Sequence, residues 1–260
     1  MPSVAGLFCG KKRAPPNSNY ISLFIKEMEV LSQQVTSQKW GSSNVSSTTV
    51  SIYSLAQCHR DLSSDDCLQC YGTSRTRVPR CIPAVNGRIF LDGCFLRYDN
   101  YSFYEEAVDP VWDKANCNSS IDVNTNGIQS STPEFRKNVA DLIDNITASA
   151  VLNDGYAVGV WKGVYGLADC WKTVSRNGCR ECLTAARREV IGCLPSLEGR
   201  ALNTGCYLRY STKKFYSNHS ETINNSSGGG GAHNSIPTIR KPKPTPPGQS
   251  STSRSIHGQL

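Results

Sequence analysis

Apolar residues recur at helical spacing in two places along the chain. Over Tyr20–Lys39, Ile21, Phe24, Ile25, Met28, Leu31 and Val35 share one face, and over Pro133–Ala150 the stripe is Phe135, Val139, Leu142, Ile143 and Ile146. Ser131-Thr-Pro-Glu134 has the spacing of a capping box, and Pro133 suits a first helical turn. Each stripe is followed by a β-prone run, Thr48–Leu55 and Tyr156–Leu167. The cysteine-bearing segments Cys67–Val78 and Cys179–Ile191 come next and read as second helices, with Ser63 or Ser64, and Ser175 or Asn177, placed to cap them. Gly87–Tyr98 and Gly199–Tyr210 carry strand patterns, which Phe103-Tyr104 and Phe215-Tyr216 continue after a turn. The order helix, strand, helix, strands occurs twice and predicts an α+β fold.

The duplication is explicit in the cysteines. Cys58, Cys67, Cys70, Cys81 and Cys94 return 112 residues later as Cys170, Cys179, Cys182, Cys193 and Cys206, each set reading C-x8-C-x2-C-x10-C-x12-C. Tyr53-Ser-Leu-Ala-Gln-Cys58 matches Tyr165-Gly-Leu-Ala-Asp-Cys170, and Gly93-Cys-Phe-Leu-Arg-Tyr98 matches Gly205-Cys-Tyr-Leu-Arg-Tyr210. With Cys9 and Cys117 upstream, each copy has six cysteines and none is left over. The expected organisation is a first domain over residues 4–110, a linker over 111–131 that already holds the first cysteine of copy two, and a second domain over 117–220. The tail, 221–260, is rich in Gly, Pro, Ser and Lys, a composition that buries too little apolar surface to order itself.

An even cysteine count divided six and six reads as a disulfide framework formed in an oxidising compartment. Asn-x-Ser/Thr acceptors at Asn44, Asn100, Asn118, Asn145, Asn218, Asn224 and Asn225 agree with a secreted glycoprotein. The first residues, Met-Pro-Ser-Val-Ala-Gly-Leu-Phe-Cys9, hold too short an apolar run for a secretory leader, so the chain reads as a mature fragment or as a sequence lacking its first exon, whether a splice form, a truncated paralogue or a partial sequence. No stretch approaches the length of a membrane span, so a membrane would be met only through a segment missing from this chain. Of the net charge of +7, four charges (Arg240, Lys241, Lys243, Arg254) lie in the tail. The basic clusters Arg75, Arg77, Arg80 and Arg187, Arg188 have no interleaved aromatic residues for base stacking, which argues against nucleic acid.

Cys67-Leu-Gln-Cys70 and Cys179-Arg-Glu-Cys182 admit three readings. A zinc ribbon wants its pairs about 15–20 residues apart, whereas these are 109 apart and His59, His219, His233 and His257 have no ligand spacing. A thioredoxin-like redox pair wants a βαβ setting and leaves four cysteines per copy unexplained. A structural framework accounts for all twelve. Hydrolase, metalloprotease and phosphate-loop motifs are missing, and Asp65-Asp66 reads as first-turn helix acids, so no catalytic residue and no cofactor is expected.

The doubled C-x8-C-x2-C with its downstream Gly-Cys-x-Leu-Arg-Tyr resembles the plant ginkbilobin-type (stress-antifungal) domain. Two copies and a low-complexity segment resemble the ectodomain of cysteine-rich receptor-like kinases, cysteine-rich secretory repeat proteins and plasmodesmata-located proteins. The resemblance implies two tandem domains, each with two helices packed on a five-stranded antiparallel sheet. It also implies the pairs Cys9–Cys81, Cys58–Cys67 and Cys70–Cys94, then Cys117–Cys193, Cys170–Cys179 and Cys182–Cys206; spacing alone leaves 15 pairings per domain. The single-domain antifungal member binds mannose through an Asn, an Arg and a Glu. Carried onto this sequence, those positions are Gly10, Arg88 and Asp99 in copy one and Asn118, Arg200 and Ser211 in copy two, so neither set is complete and only Arg88, Asp99, Asn118 and Arg200 keep a polar contact. Asn118 is also a glycan acceptor. Arg88 and Arg200 read equally as strand arginines paired with a neighbouring acid. The leading expectation is a non-catalytic extracellular recognition module for plant defence, secreted or held at the outer face of the plasma membrane, with a protein or carbohydrate ligand. A mannose-binding antifungal protein and an extracellular thiol redox sensor are the alternatives. Trp40, Trp112, Trp161 and Trp171 are expected in the core or an interface.

Overall fold

A computed structural model describes residues 2–117 and 132–217, all within one compact unit, Met1–Glu221. The expected linker over 111–131 lies outside these residues but for its first part, 111–117. The tail and the acceptors Asn118, Asn218, Asn224 and Asn225 lie outside them altogether.

Repeat one runs β1 (Val4–Cys9), α1 (Tyr20–Gln38), β2 (Trp40–Ser46), β3 (Ser51–Cys58), α2 (Ser64–Arg77), a 3-10 turn at Val78–Cys81, β4 (Gly87–Leu91) and β5 (Cys94–Asp99). Repeat two runs β6 (Lys114–Cys117), α3 (Pro133–Leu152), β7 (Tyr156–Trp161), β8 (Val164–Cys170), α4 (Arg176–Gly192), β9 (Glu198–Leu202) and β10 (Cys206–Ser211). Each repeat is a five-stranded antiparallel sheet, in the order β1-β4-β5-β3-β2 and β6-β9-β10-β8-β7, with two helices on one face.

The helices start where side chains can satisfy free backbone amides. Ser63 accepts from the Asp66 amide and Ser175 from the Gly178 amide, while Asp65 and Asp66 lie in the positive first turn of α2. For α3 the cap is Thr132, which accepts from the Phe135 amide, and Pro133 follows at the first helical position; the expected Ser131 is outside the described residues.

The α1 stripe is rotated from the expected one. Tyr20, Phe24, Met28, Leu31 and Val35 are buried, but Ile21 and Ile25 are each 58% exposed. The face that turns inward includes Glu27, whose carboxylate accepts hydrogen bonds from Ser54 Oγ (2.8 Å) and Ser43 Oγ (3.3 Å); these make its burial tolerable. The β-prone run Tyr156–Leu167 and the strand-patterned runs Gly87–Tyr98 and Gly199–Tyr210 each fall on a hairpin, which turns at Lys162-Gly163, Asp92-Gly93 and Asn203 to Gly205. Gly93 and Gly163 take the positive φ that such reversals need (138° and 81°). Phe103-Tyr104 and Phe215-Tyr216 are not strands but straps. Phe103 covers Arg97 and Phe215 covers Arg209, at 3.9 and 4.0 Å from ring centroid to guanidinium. Tyr104 and Tyr216 donate their hydroxyls to the carbonyls of Ser43 and Gly159 in the edge strands.

Six disulfides close the framework: Cys9–Cys81, Cys58–Cys67, Cys70–Cys94, Cys117–Cys193, Cys170–Cys179 and Cys182–Cys206. Opening Cys9–Cys81, whose partners are 72 residues apart, by a double alanine substitution is expected to remove about 4 kcal/mol of stability. Opening Cys58–Cys67, 9 residues apart, should remove about 3. Denaturant unfolding of the two variants against the parent measures both, and a loss below about 1 kcal/mol in each contradicts this role.

Candidate functional site

Strands alternate their side chains between faces, and here both faces are filled. Ile52, Ala56, Ile89, Leu96 and Tyr98 lie under the helices of repeat one, and Ala168, Ala201, Leu208 and Tyr210 under those of repeat two. The intervening residues form a third apolar cluster that joins the repeats: Leu55, Phe90 and Phe95 from one, Leu167, Trp171, Leu202 and Tyr207 from the other. Phe103 and Tyr216 from the straps complete it. The two sheets therefore pack through their outer faces.

Pairs across this interface exchange when 112 is added to one residue and subtracted from its partner. Trp171 stacks on Phe95 (4.4 Å between centroids, 2° between planes), and the corresponding pair, His59 on Tyr207, lies at 4.6 Å. Arg88 donates to Thr204 Oγ1 at 2.9 Å; the corresponding Arg200 grips Asp92 with two bonds of 2.9 Å. On the axis of this pseudo-two-fold relation, Gln57 Nε2 donates to Asp169 Oδ1 (3.4 Å) and to the Cys170 carbonyl, and the Lys172 amide donates to Gln57 Oε1 (2.8 Å). His59 Nδ1 lies 2.9 Å from Asp169 Oδ2. Complete burial pushes the Asp169 carboxyl above its ordinary range, against the lowering effect of His59. At the edge, Asp154 of repeat two pairs with Arg60 of repeat one at 3.2 Å.

The residues that the resemblance marks for a sugar are placed as follows. Arg88 is 3% exposed, held by Thr204 with Asp109 at 4.0 Å, and its guanidinium lies 5.2 Å from the centroid of Trp112. Burial, with Arg97 nearby, pulls that guanidinium down to about 10. Asp99 is 2% exposed and accepts from Arg97 (3.0 Å) and from the Asn100 amide (2.9 Å), not from Arg88. Arg200 is committed to Asp92 and Glu198. Asn118 is outside the described residues. Arg88 and Asp99 thus lie in one buried layer of repeat one but are turned to different partners, and Arg200 serves the inter-repeat contact. The sequence reading missed the roles of Gln57, His59, Asp92, Asp169 and Thr204. The available signal was that His59/Trp171 and Asp92/Thr204 differ within otherwise matched segments, the pattern left when one duplicated surface becomes two complementary ones.

Among the described residues no group of three His, Cys, Asp or Glu is arranged to hold a metal ion, and no helix is long and apolar enough to cross a membrane. All twelve cysteines are bonded in pairs. Asn44 and Asn145 are exposed and Asn100 is half-buried. Trp40 borders the inter-repeat cluster and Trp161 packs on the core of repeat two.

Burial alone would raise the Asp92 carboxyl, but hydrogen bonding from Arg200 and the charges of Arg209 and Arg200 outweigh it, so its pKa lies below the ordinary carboxylate value. A carboxyl depressed in the folded state contributes stability above its unfolded pKa, about 3.9, and that contribution is lost as pH falls through the lower, folded value. Arg200→Ala is expected to cost about 2–3 kcal/mol near neutral pH, because Asp92 keeps its burial and loses its main partner. The variant should also show a smaller drop in Tm than the parent between pH 5 and the acid limit of folding. Thermal unfolding across that range checks both, and parallel pH profiles would refute the assignment.

Residues 8–101 and 116–213 each match the family model described as salt stress response/antifungal. Over 215 residues, 82% of this chain and 31% of the relative, the sequence is 43% identical to cysteine-rich receptor-like protein kinase 42 of Arabidopsis thaliana. It is 30% identical to plasmodesmata-located protein 7 of the same plant, over 78% of this chain and 66% of that one. An antimicrobial ginkbilobin-2-like protein of Castanea crenata is 29% identical, over 72% and 78% of the two chains. The chain thus spans about a third of the length of the receptor-like kinases it matches. In fold it is like the tandem DUF26 ectodomain of the Arabidopsis thaliana protein PDLP8, with a TM-score of 0.67, 22% identity, and coverage of 79% of this chain and 96% of that one. Two matched segments, two five-stranded sheets with paired helices and a doubled six-cysteine framework together place the chain in the salt stress response/antifungal family, as a tandem of two such domains.

Proposed function

We propose that the chain is a non-catalytic, extracellular recognition module of the kind that forms the ectodomains of cysteine-rich receptor-like kinases and plasmodesmata-located proteins, and that it does not bind mannose through the positions the antifungal member uses. One observation carries the second half: Arg88 and Arg200 are spent on Thr204 and Asp92 across the inter-repeat interface, and Asp99 on Arg97. A hydroxyl-rich ligand needs fixed donors and acceptors open to solvent, and these three have protein partners already. Six disulfides support an oxidising, extracellular setting. With every cysteine bonded, no thiolate is available for a free-thiol sensor. Recognition is assigned to the exposed loops, which a cross-linked double-sheet core allows to vary.

The test uses the oxidised, refolded chain on mannan and a glycan array, and on immobilised plant wall extract. The expected result is retention by a wall component without mannose binding, together with a lower Tm for Arg88→Ala and Arg200→Ala. Mannose binding that disappears in either variant while the fold is kept would establish the lectin reading instead. Retention by nothing at all would refute recognition.

A further inference from the structure

Two cavities occupy the same place in the two repeats, between the start of the first helix, the hairpin joining the second and third strands, and the end of the fifth. The one in repeat one has a volume of about 370 Å³ and the one in repeat two about 420 Å³, within the roughly 300–1,000 Å³ typical of small-ligand sites. From the third strand onward their linings correspond by the 112-residue shift, Ser51 with Gly163, Val85 with Leu197 and Asn100 with Thr212, and Tyr20 and Phe135 each stand in the first turn of the first helix. A cavity that recurs at equivalent positions despite changed side chains is a product of the fold. Among the described residues neither is lined by the other repeat, and neither shares a lining residue with the buried interface cluster.

Their linings differ in charge among the described residues. In repeat two, Lys162 Nζ lies 3.3 Å from Glu134 Oε1, so the cavity holds its own counter-ion. In repeat one the lining holds Lys12 and Arg13 and no carboxylate, and neither cation has an acidic partner among the described residues. Around them stand the hydroxyls of Thr48, Thr49 and Ser51 and the side-chain amide of Asn100, also without partners among the described residues. Tyr20, Val50 and Val85 supply an apolar floor, and the Tyr20 hydroxyl is already used by the Ala84 carbonyl (3.1 Å). Two uncompensated cations call for an anion, a ring of short neutral donors and acceptors calls for hydroxyls, and a small apolar floor suits the face of a sugar ring.

We propose that the cavity of repeat one binds a carboxylated saccharide, a uronate unit of an acidic oligosaccharide, with Lys12 and Arg13 on the carboxylate and Thr48, Thr49, Ser51 and Asn100 on the ring hydroxyls. The proposal rests on the recognition reading above and gives it a ligand class. Asn100 is itself a glycan acceptor, and a glycan there competes for the same volume.

The experiment titrates a decagalacturonate, and separately its fully methyl-esterified counterpart, into the full chain, oxidised and refolded from an unglycosylated source. Binding of the acid is expected, at least tenfold weaker with the ester and at least tenfold weaker with the double variant Lys12→Ala/Arg13→Ala, whose exposed positions should leave Tm unchanged. Lys162→Ala should bind as the parent does. No binding of the acid, or full binding by the double variant, overturns the assignment. So does an equal loss in Arg77→Ala/Arg80→Ala, a basic pair outside the cavity, which would mean attraction to net charge alone. If the acid does not bind while wall extract still retains the chain, the cavity assignment falls by itself; if neither is retained, the recognition reading falls with it.

Discussion

The mutual burial of the two outer sheet faces is the contact on which the other arrangements depend. A sheet with helices on one side leaves its second face to water or to a partner, and here Leu55, Phe90 and Phe95 on one sheet and Leu167, Leu202 and Tyr207 on the other are too apolar for water. Neither repeat covers this face with its own helices. Each uses the other, which makes the tandem the stable unit and makes residues buried that would line an open surface in a single domain. The contact is isologous in form: because the repeats are copies, positions away from the axis are used twice. Covalent linkage in one chain then frees the two versions to differ, so Trp171 on Phe95 is matched by His59 on Tyr207, and Arg200 on Asp92 by Arg88 on Thr204.

The disulfides prepare this face rather than make it. Cys58 and Cys94 lie opposite each other on neighbouring strands, and each is bonded to α2, through Cys67 and Cys70. Cys9 ties the edge strand β1 to the turn after α2 through Cys81. The same three links recur in repeat two. Helix and sheet are thereby locked in domains of about 100 residues, where hydrophobic burial alone is marginal, and the residues Phe95, Arg97 and Asp99 are held in one register along β5. The strap residues Phe103 and Phe215 close over Arg97 and Arg209, and both guanidinium groups are paired with carboxylates in this layer.

Most of the fold was legible in the sequence because local signals and the duplication agreed. Helix spacing, Ser63 and Ser175 as caps, and ten cysteines at a constant shift each pointed to the same repeat. Three kinds of feature were not legible. Hairpins such as Tyr156–Cys170 lacked a strong turn pair, and Lys162-Gly163 does not stand out from a continuous apolar run. The stripe of α1 was misplaced by part of a turn because Ile21 and Ile25 outweigh Glu27 on any hydrophobic count, while the Ser54 hydroxyl that admits Glu27 comes from another element. The inter-repeat face was hidden because both faces of β3 and β5 are buried, and a strand buried on both sides has no alternation from which its second partner can be read.

The same constraint decides how far a relative's site can be carried onto this chain. In a single-domain protein a polar residue on the outer sheet face can meet a sugar; in the tandem, that face is interior. Arg88 and Arg200 have protein partners there, Thr204 and Asp92, where an open sheet face would present them to solvent. Matching residue types at matching positions does not establish a shared function when a second domain has taken the solvent's place. The two cavities lie on equivalent backbone and, among the described residues, take no lining from the other repeat. There, among the described residues, Lys12 and Arg13 stand uncompensated in one copy and Lys162 is held by Glu134 in the other. Two copies of one fold can hold each other through identical positions and still present two different surfaces, because the positions that bind the repeats together and the positions that remain open do not overlap.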